Sequence, residues 1–496
     1  MSRCPVPLRV APSLLAAALL AGCTTVGPDF HAPPAPRVAR YTAGMLPQRT
    51  ASAPGHLGAP QQWMHSAAVD REWWKSFASP RLDALVQQAL RNNPTLEAAR
   101  ATLRQAQETY AAQAGSTLYP TISAKLGASR SETNGASVGT SSSQRIYNLY
   151  NAGIAVNYNL DLFGGNRRAL EALAAQADYQ AYQLAGARLS LAGNVVTTAF
   201  AQAQLRAQVA ATRAIARAQA AELAITVKRL QLGAASRVDV LSLRTQYEQT
   251  LASLPPLRNK LQQADHLLAL LVGQAPGQAH IPRFRLSDFR LPPQLPLVVP
   301  SQLLRQRPDV QASTALLHAA TAQYGVAISS LYPQINLSAT LSTEALTTGA
   351  LFGPGSTIWN LAGQLAQPLF NAGLHAAKNA AEANLQAAGA NYRATVLQAL
   401  RNVADALRQL DNDAQALRAQ AAADSAAQQS LHLVEQQYHL GAASYLQLLT
   451  AQQQAQNARI GLLAAQAARL ADTAALYQAM GGGVLAHTTT GKDKPA

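Results

Sequence analysis

From Tyr150 onward the chain alternates. Tyr150, Ala152, Ile154, Val156, Tyr158 and Leu160 fall on one side of an extended backbone; Asn151, Gly153, Ala155, Asn157, Asn159 and Asp161 fall on the other. Successive side chains of a strand point to opposite faces, so this pattern predicts a strand with one apolar and one polar face. Ile122, Ala124, Leu126 and Ala128 repeat it more weakly against Thr121, Ser123, Lys125 and Ser129. Further on, Ile335, Leu337, Ala339 and Leu341 alternate with Asn336, Ser338, Thr340 and Ser342, and Trp359, Leu361, Gly363 and Leu365 with Asn360 and Gln364. Four strands are therefore expected, at about 119–130, 147–162, 332–342 and 357–369, joined in pairs by the polar loops Ser131–Ser143 and Thr343–Ser356.

Between the strand pairs the period changes. No proline occurs between Gly165 and Leu254, or between Leu369 and Lys494, and both stretches are rich in Ala, Gln and Leu, which are strong helix formers. Val396, Leu400, Val403, Leu407 and Leu410 are spaced 4, 3, 4, 3, the seam of a coiled coil. A helix from Gly165 to Leu232 would be roughly 100 Å long at about 1.5 Å per residue, and one from Gly373 to Leu440 would match it. Helices of that length make a rod, either a solid coiled coil or the wall of a tube.

The chain is written twice. Arg91–Ala98 (RNNPTLEA) lines up with Arg305–Ala312 (RQRPDVQA), Leu118-Tyr119-Pro120 with Leu331-Tyr332-Pro333, and Leu162-Phe163 with Leu369-Phe370. Leu232-Gly233-Ala234-Ala235-Ser236 recurs unchanged as Leu440-Gly441-Ala442-Ala443-Ser444. Four matches in one order mark an internal duplication. The first repeat is placed at 81–272 and the second at 301–480. An extended arm (23–80) precedes them, a proline-rich linker (273–300) joins them, and a tail expected to be disordered (481–496) follows. Within each repeat, Gly233 and Gly441 suit a left-handed helix end. Ser236 with Asp239, and Ser444 with Gln447, then form the capping box that opens the next helix. Each repeat should therefore end in a tight helical hairpin, its tip at 232–236 or 440–444.

Four strands do not close a barrel. Two copies would supply eight, whose interior side chains fill; three would supply twelve and leave a lumen. A half-buried sheet on a soluble core is the commoner meaning of alternation, but the helical rods offer no globular core for such a sheet to cover.

Composition narrows the function. The 496 residues carry a formal charge of +15, yet only 13% are charged and 5% aromatic, with no basic run. Nucleic-acid binding is therefore not expected. The two cysteines, Cys4 and Cys23, lie near the N-terminus, which leaves no disulfide framework. Arg3, Arg9 and the apolar Leu14–Ala21 form a secretory signal ending in Leu20-Ala21-Gly22-Cys23, expected to be removed as residues 1–22. The thiol of Cys23 then stands as a lipid acceptor, and several acyl chains anchor stably where one does not. Loss of Arg3 and Arg9 leaves 15 − 2 = +13 on the mature chain. No stretch approaches eighteen consecutive apolar residues, so a membrane would be crossed by strands. Metalloprotease, Walker and nucleophile-elbow motifs are missing. Arg167-Arg168 reads as a solvated pair at a helix start. His432 and His439 read as helix-surface residues, and four methionines give no soft-metal relay.

The lipobox, the duplication, the two Tyr-Pro strand starts and the two Leu-Gly-Ala-Ala-Ser turns resemble the TolC-like outer membrane efflux proteins, in particular the NodT branch of lipoproteins. The resemblance covers roughly residues 23–480. It implies a mainly α fold: a coiled-coil α-helical tunnel, with four β-strands per protomer completing a trimeric twelve-stranded transmembrane β-barrel. It also implies a lipid-anchored outer-membrane protein extending into the periplasm, a passive exit duct for drugs or other small toxic compounds, with no enzyme activity and no cofactor beyond the lipid on Cys23. Implied partners are two further copies, outer-membrane lipid, a periplasmic adaptor docking on Leu232, Gly233, Ala234, Ala235 and Ser236 and on Leu440, Gly441, Ala442, Ala443 and Ser444, and an inner-membrane transporter of RND or MFS type. Asp239 and Tyr438 stand where relatives tie the periplasmic gate. Gln447 and Thr450 replace the acidic ring of relatives, and Ala443 its arginine partner. An outlet for type I protein secretion and a poreless periplasmic scaffold are the alternatives.

Overall fold

The computed structural model describes residues 25–34, 38, 40–65, 69–133 and 145–483. The signal peptide, Cys23, most of the 131–143 loop and the tail beyond Gly483 lie outside the described residues. The elements in chain order are β1 (Gln62–His65), a 3-10 helix (Trp73–Phe77), α1 (Pro80–Asn92), α2 (Pro94–Thr117), β2 (Thr121–Thr133), β3 (Arg145–Leu160), α3 (Gly165–Gln231) and α4 (Arg237–Leu271). Then follow β4 (Gln294–Leu297), α5 (Pro300–Gln306), α6 (Pro308–Ser329), β5 (Gln334–Ala345), β6 (Thr357–Ala366), α7 (Ala372–His439) and α8 (Tyr445–Ala479). The proline-free stretches become α3 and α7, of 67 and 68 residues.

The chain divides into two compact units. The first comprises the segment ending at Pro33 together with Thr102–Gln180 and Ser313–Tyr392; it contains the sheet β2-β3-β5-β6, antiparallel throughout. The register aligns Ile122 with Val156, Ile154 with Leu341, and Leu341 with Trp359. The apolar sides of all four strands therefore merge into one face.

The second unit comprises Pro34–Ala101, Ala181–Ala312 and Arg393 onward. Most of the few aromatic rings that pack on one another meet here. Phe77 lies 4.9 Å from Phe200, Phe200 lies 4.8 Å from Phe289, and Trp73 stacks on Tyr477 at 5.5 Å. Burying each such ring contributes about 2–3 kcal/mol. Gln202, fully buried, donates to Asp265 Oδ1 (2.6 Å) and to the Pro282 carbonyl (3.1 Å), and accepts from the Phe284 amide (2.8 Å). The segment expected as a linker is thus stapled into this core. Phe284, Phe289 and Leu295 have no exposure, and β4 pairs in parallel with β1 of the arm. Proline density reports backbone freedom, not burial, and the apolar residues between the prolines decide the outcome. Arg469, likewise fully buried, holds the arm by donating to Thr50 Oγ1 (2.8 Å) and the carbonyls of Ala51 and Ala59. On α7, Val396, Val403, Leu407 and Leu410 are buried, as their spacing requires.

Candidate functional site

Three regions carry the chemistry. The first is the sheet. Ile122, Leu126, Ile154, Trp359, Leu361 and Leu365 are all more than half exposed in the single chain, on a face that soluble proteins would cover. Among the described residues, β2 and β6, at the two ends of the sheet, have an unpaired edge each. A long bare edge invites another strand. At the end of β6, Leu369 and Phe370 are 94% and 92% exposed.

The second region is the pair of helix turns. α3 ends with the Ala234 amide donating to the Arg229 carbonyl (2.7 Å) and the Gly233 amide to Leu230 (3.0 Å); α7 ends with Ala442 to Gln437 (2.8 Å) and Gly441 to Tyr438 (3.0 Å). Gly233 (φ 73°) and Gly441 (φ 77°) take the left-handed conformation that this closure needs. Both capping boxes form. Ser236 Oγ accepts from the Asp239 amide (3.1 Å) while Asp239 Oδ2 accepts from the Ser236 amide (3.0 Å). Ser444 Oγ accepts from the Gln447 amide (3.3 Å), and Gln447 Oε1 from the Ser444 amide (2.6 Å). Leu232 and Leu440 project almost bare at the two tips, with 83% and 84% exposed, and Val238 and Leu446 beside them are likewise exposed.

Asp239 and Tyr438 are not hydrogen-bonded to each other in the single chain. One Asp239 oxygen serves its own helix cap. The Tyr438 ring is buried, beneath the Arg229 guanidinium at 5.3 Å and beside the Tyr445 ring at 6.2 Å. The group that senses both is Tyr445. Its hydroxyl is buried without a partner, and burial together with Tyr438, Asp239 and Glu222 holds its pKa well above the usual phenol value. Burial also raises Glu435, with the His432 and His439 charges opposing and Glu222 reinforcing. The sequence pattern did not single out Arg229, Glu222, Glu435 or Tyr445. For Tyr445 the signal was its place at the first position of α8, directly after the capping serine.

The third region is the chain just after Cys23. Arg168 is not a solvated residue: its side chain is 4% exposed. It donates to Asp29 Oδ1 and Glu171 Oε2 (both 2.7 Å) and to the carbonyls of Val26 and Gly27 (both 3.3 Å). His318 Nε2 lies 2.8 Å from the other Glu171 oxygen, and Phe30 stacks on the His318 ring at 4.3 Å. Two adjacent arginines look alike in sequence, but the arm folds over only one of them. Arg167 stays outside, paired with Asp161. Among the described residues no His, Cys, Asp or Glu grouping could hold a metal, and no helix is long and apolar enough to cross a membrane.

An antiparallel sheet with one continuous apolar face and two bare edges, in a chain of paired long helices, defines a subunit of an outer-membrane channel. The comparisons with known proteins agree. The chain belongs to the outer membrane efflux protein family, whose model matches residues 85–274 and 299–482. It is 31% identical to the pyoverdine export outer membrane protein OpmQ of Pseudomonas aeruginosa over 438 residues, 86% of this chain and 92% of that one. It is 29% identical to the toluene efflux pump outer membrane protein TtgI of Pseudomonas putida, over 95% of this chain and 97% of that one. Among solved structures, that of the outer-membrane channel OprN superposes with a TM-score of 0.83 at 26% identity, covering 93% of this chain and all of the other. The protein is thus an outer-membrane efflux duct.

Proposed function

We propose that three copies of the chain close a twelve-stranded barrel in the outer membrane, continued by a helical tunnel, and that the assembly is the passive outlet of a tripartite pump for small toxic compounds. The observation that carries this reading is the register of the sheet, which gathers Ile122, Ile154, Leu341 and Trp359 onto one apolar face while leaving β2 and β6 open to further strands. The lipid on Cys23 anchors the N-terminus. The tips at Leu232–Ser236 and Leu440–Ser444 dock a periplasmic adaptor, and their exposed leucines supply its apolar contacts. Asp239 and Tyr438 belong to the gate region, where the Tyr445 ring lies 6.2 Å from that of Tyr438. Energy comes from an inner-membrane transporter of RND or MFS type, and no covalent step or cofactor beyond the lipid is involved. The relatives' names, toluene efflux and pyoverdine export, support small cargo over protein secretion.

The test is to purify the lipidated chain in detergent, measure its mass and insert it in planar bilayers. A trimer giving discrete single-channel steps is expected, together with hypersensitivity to small apolar toxins and normal protein secretion in a deletion strain. A monomer without conductance would overturn the duct; a secretion defect without hypersensitivity would overturn the cargo class.

A further inference from the structure

Apart from the sheet and the tips, the second unit holds a cleft of 310 Å³ between the 3-10 helix, α1, α2 and α3. Arg71, Arg100 and Arg188 all line it, and its walls include Trp73 and Trp74, both buried. The three come from distant parts of the sequence, so no basic run announces them.

Their counter-charge is missing. The one carboxylate lining the cleft, Glu72, is already engaged: Oε2 binds Lys75 Nζ at 2.6 Å, and Oε1 accepts from Gln87. Arg100 spends one donor on the Leu90 carbonyl at 3.1 Å. Among the described residues, the guanidinium groups of Arg71 and Arg188 make no ion pair and no hydrogen bond. Burial, then Arg100, then Arg71, push the Arg188 pKa below the usual guanidinium range. A guanidinium nevertheless stays charged at any physiological pH. The fold therefore holds three cations around one concavity with an apolar wall, and low-dielectric walls focus the field there.

We infer that this cleft binds an oxyanion of charge two or more, of phosphate or carboxylate type, gripped by Arg71, Arg100 and Arg188. Planar guanidinium forks match such groups bidentately, which a simple halide does not exploit. Small free anions and carboxylate-bearing polymers share this chemistry, and the experiment separates them. The site is independent of conduction, so its failure would leave the duct standing.

The full-length lipidated protein in detergent is melted with inorganic pyrophosphate or citrate, against sodium chloride at equal ionic strength, and is also passed over beads carrying poly-D-glutamate. The expected result is a saturable rise in Tm with pyrophosphate that chloride does not give. Apparent affinity should fall about tenfold or more in R71Q and R188M, as loss of a charge-assisted pair requires. R71E, which cancels the repulsion, should raise the Tm of the unliganded protein. Retention on the beads that depends on Arg188, with no pyrophosphate effect, would assign the site to a polymer. If R188M fails to fold, R71Q decides, because Arg71 is exposed. Binding by R71Q equal to that of the unsubstituted protein, or no binding by either probe, overturns the inference.

Discussion

Leu162-Phe163 and Leu369-Phe370 occupy matching places at the strand-to-helix corners of the two repeats, yet their surroundings are opposite. In the first repeat Phe163 stacks on Tyr332 at 4.9 Å, and the corner continues into buried Arg168 and the arm folded over it. In the second repeat both residues are more than nine-tenths bare. Duplication made the corners alike in sequence. Their place in the sheet made them different, because β3 is an inner strand and β6 an edge. The first corner is finished by its own chain; the second stands bare in the single chain.

The largest expected effect comes from breaking that difference. Phe370→Asp should leave the chain folded, with a Tm close to that of the unsubstituted protein, but should abolish the detergent-resistant trimer. Phe163→Asp should instead destabilise the chain itself. Gel mobility of unheated samples beside circular dichroism reads both, and equal behaviour of the two variants would remove the comparison. Next, Arg168→Met should cost about 3 kcal/mol, because the bonds from its buried guanidinium to Asp29, Glu171 and the Val26 and Gly27 carbonyls are lost and Glu171 keeps only His318. The loss should appear as faster proteolysis of the segment around Asp29. At the matching corner of α7 the described contact is a helix cap, Asn371 Oδ1 accepting from the Gly373 amide at 3.0 Å, so Asn371→Ala should cost about 1 kcal/mol, less than the loss of Arg168.

The turns sharpen the comparison, since here the repeats agree. Ser236→Ala and Ser444→Ala should each cost about 1 kcal/mol locally, equally at the two tips, seen as faster amide exchange in the first turns of α4 and α8. The smallest effect is pH-dependent and belongs to the second hairpin alone. Glu435 has a raised pKa, so the folded state holds its proton to higher pH than the unfolded chain. The contribution is fully present below the ordinary carboxylate pKa and is lost as pH rises through the raised value. Exchange near residue 435, corrected for intrinsic rate, should be slower at pH 4.5 than at pH 7.5, and Glu435→Gln should flatten the difference.

Much of this was legible in the sequence. Alternation in β3 and β5, absence of proline in α3 and α7, and the Gly and Ser of the turns are local signals, and local physics fixes them. Register was not legible, because Ile154 finds Leu341 only through pairing of segments far apart. Nor was the burial of Arg168, which depends on where the arm lands, nor that of Phe284 and Phe289 among prolines. The neighbourhood of Tyr438 escaped for the same reason: Arg229, Glu222 and Tyr445 come together only when α3, α7 and α8 pack.

The unpaired edges of β2 and β6 also have a genetic consequence. If each copy must lend an edge to two neighbours, one faulty copy spoils the whole ring. A strain making equal amounts of normal and Phe370→Asp chains would have only about one intact ring in eight if the variant still joined assemblies. A variant that fails to join would instead leave normal rings reduced only by half. The dose-dependence of a mixed strain's toxin tolerance would thus report whether an edge is needed before assembly or after it.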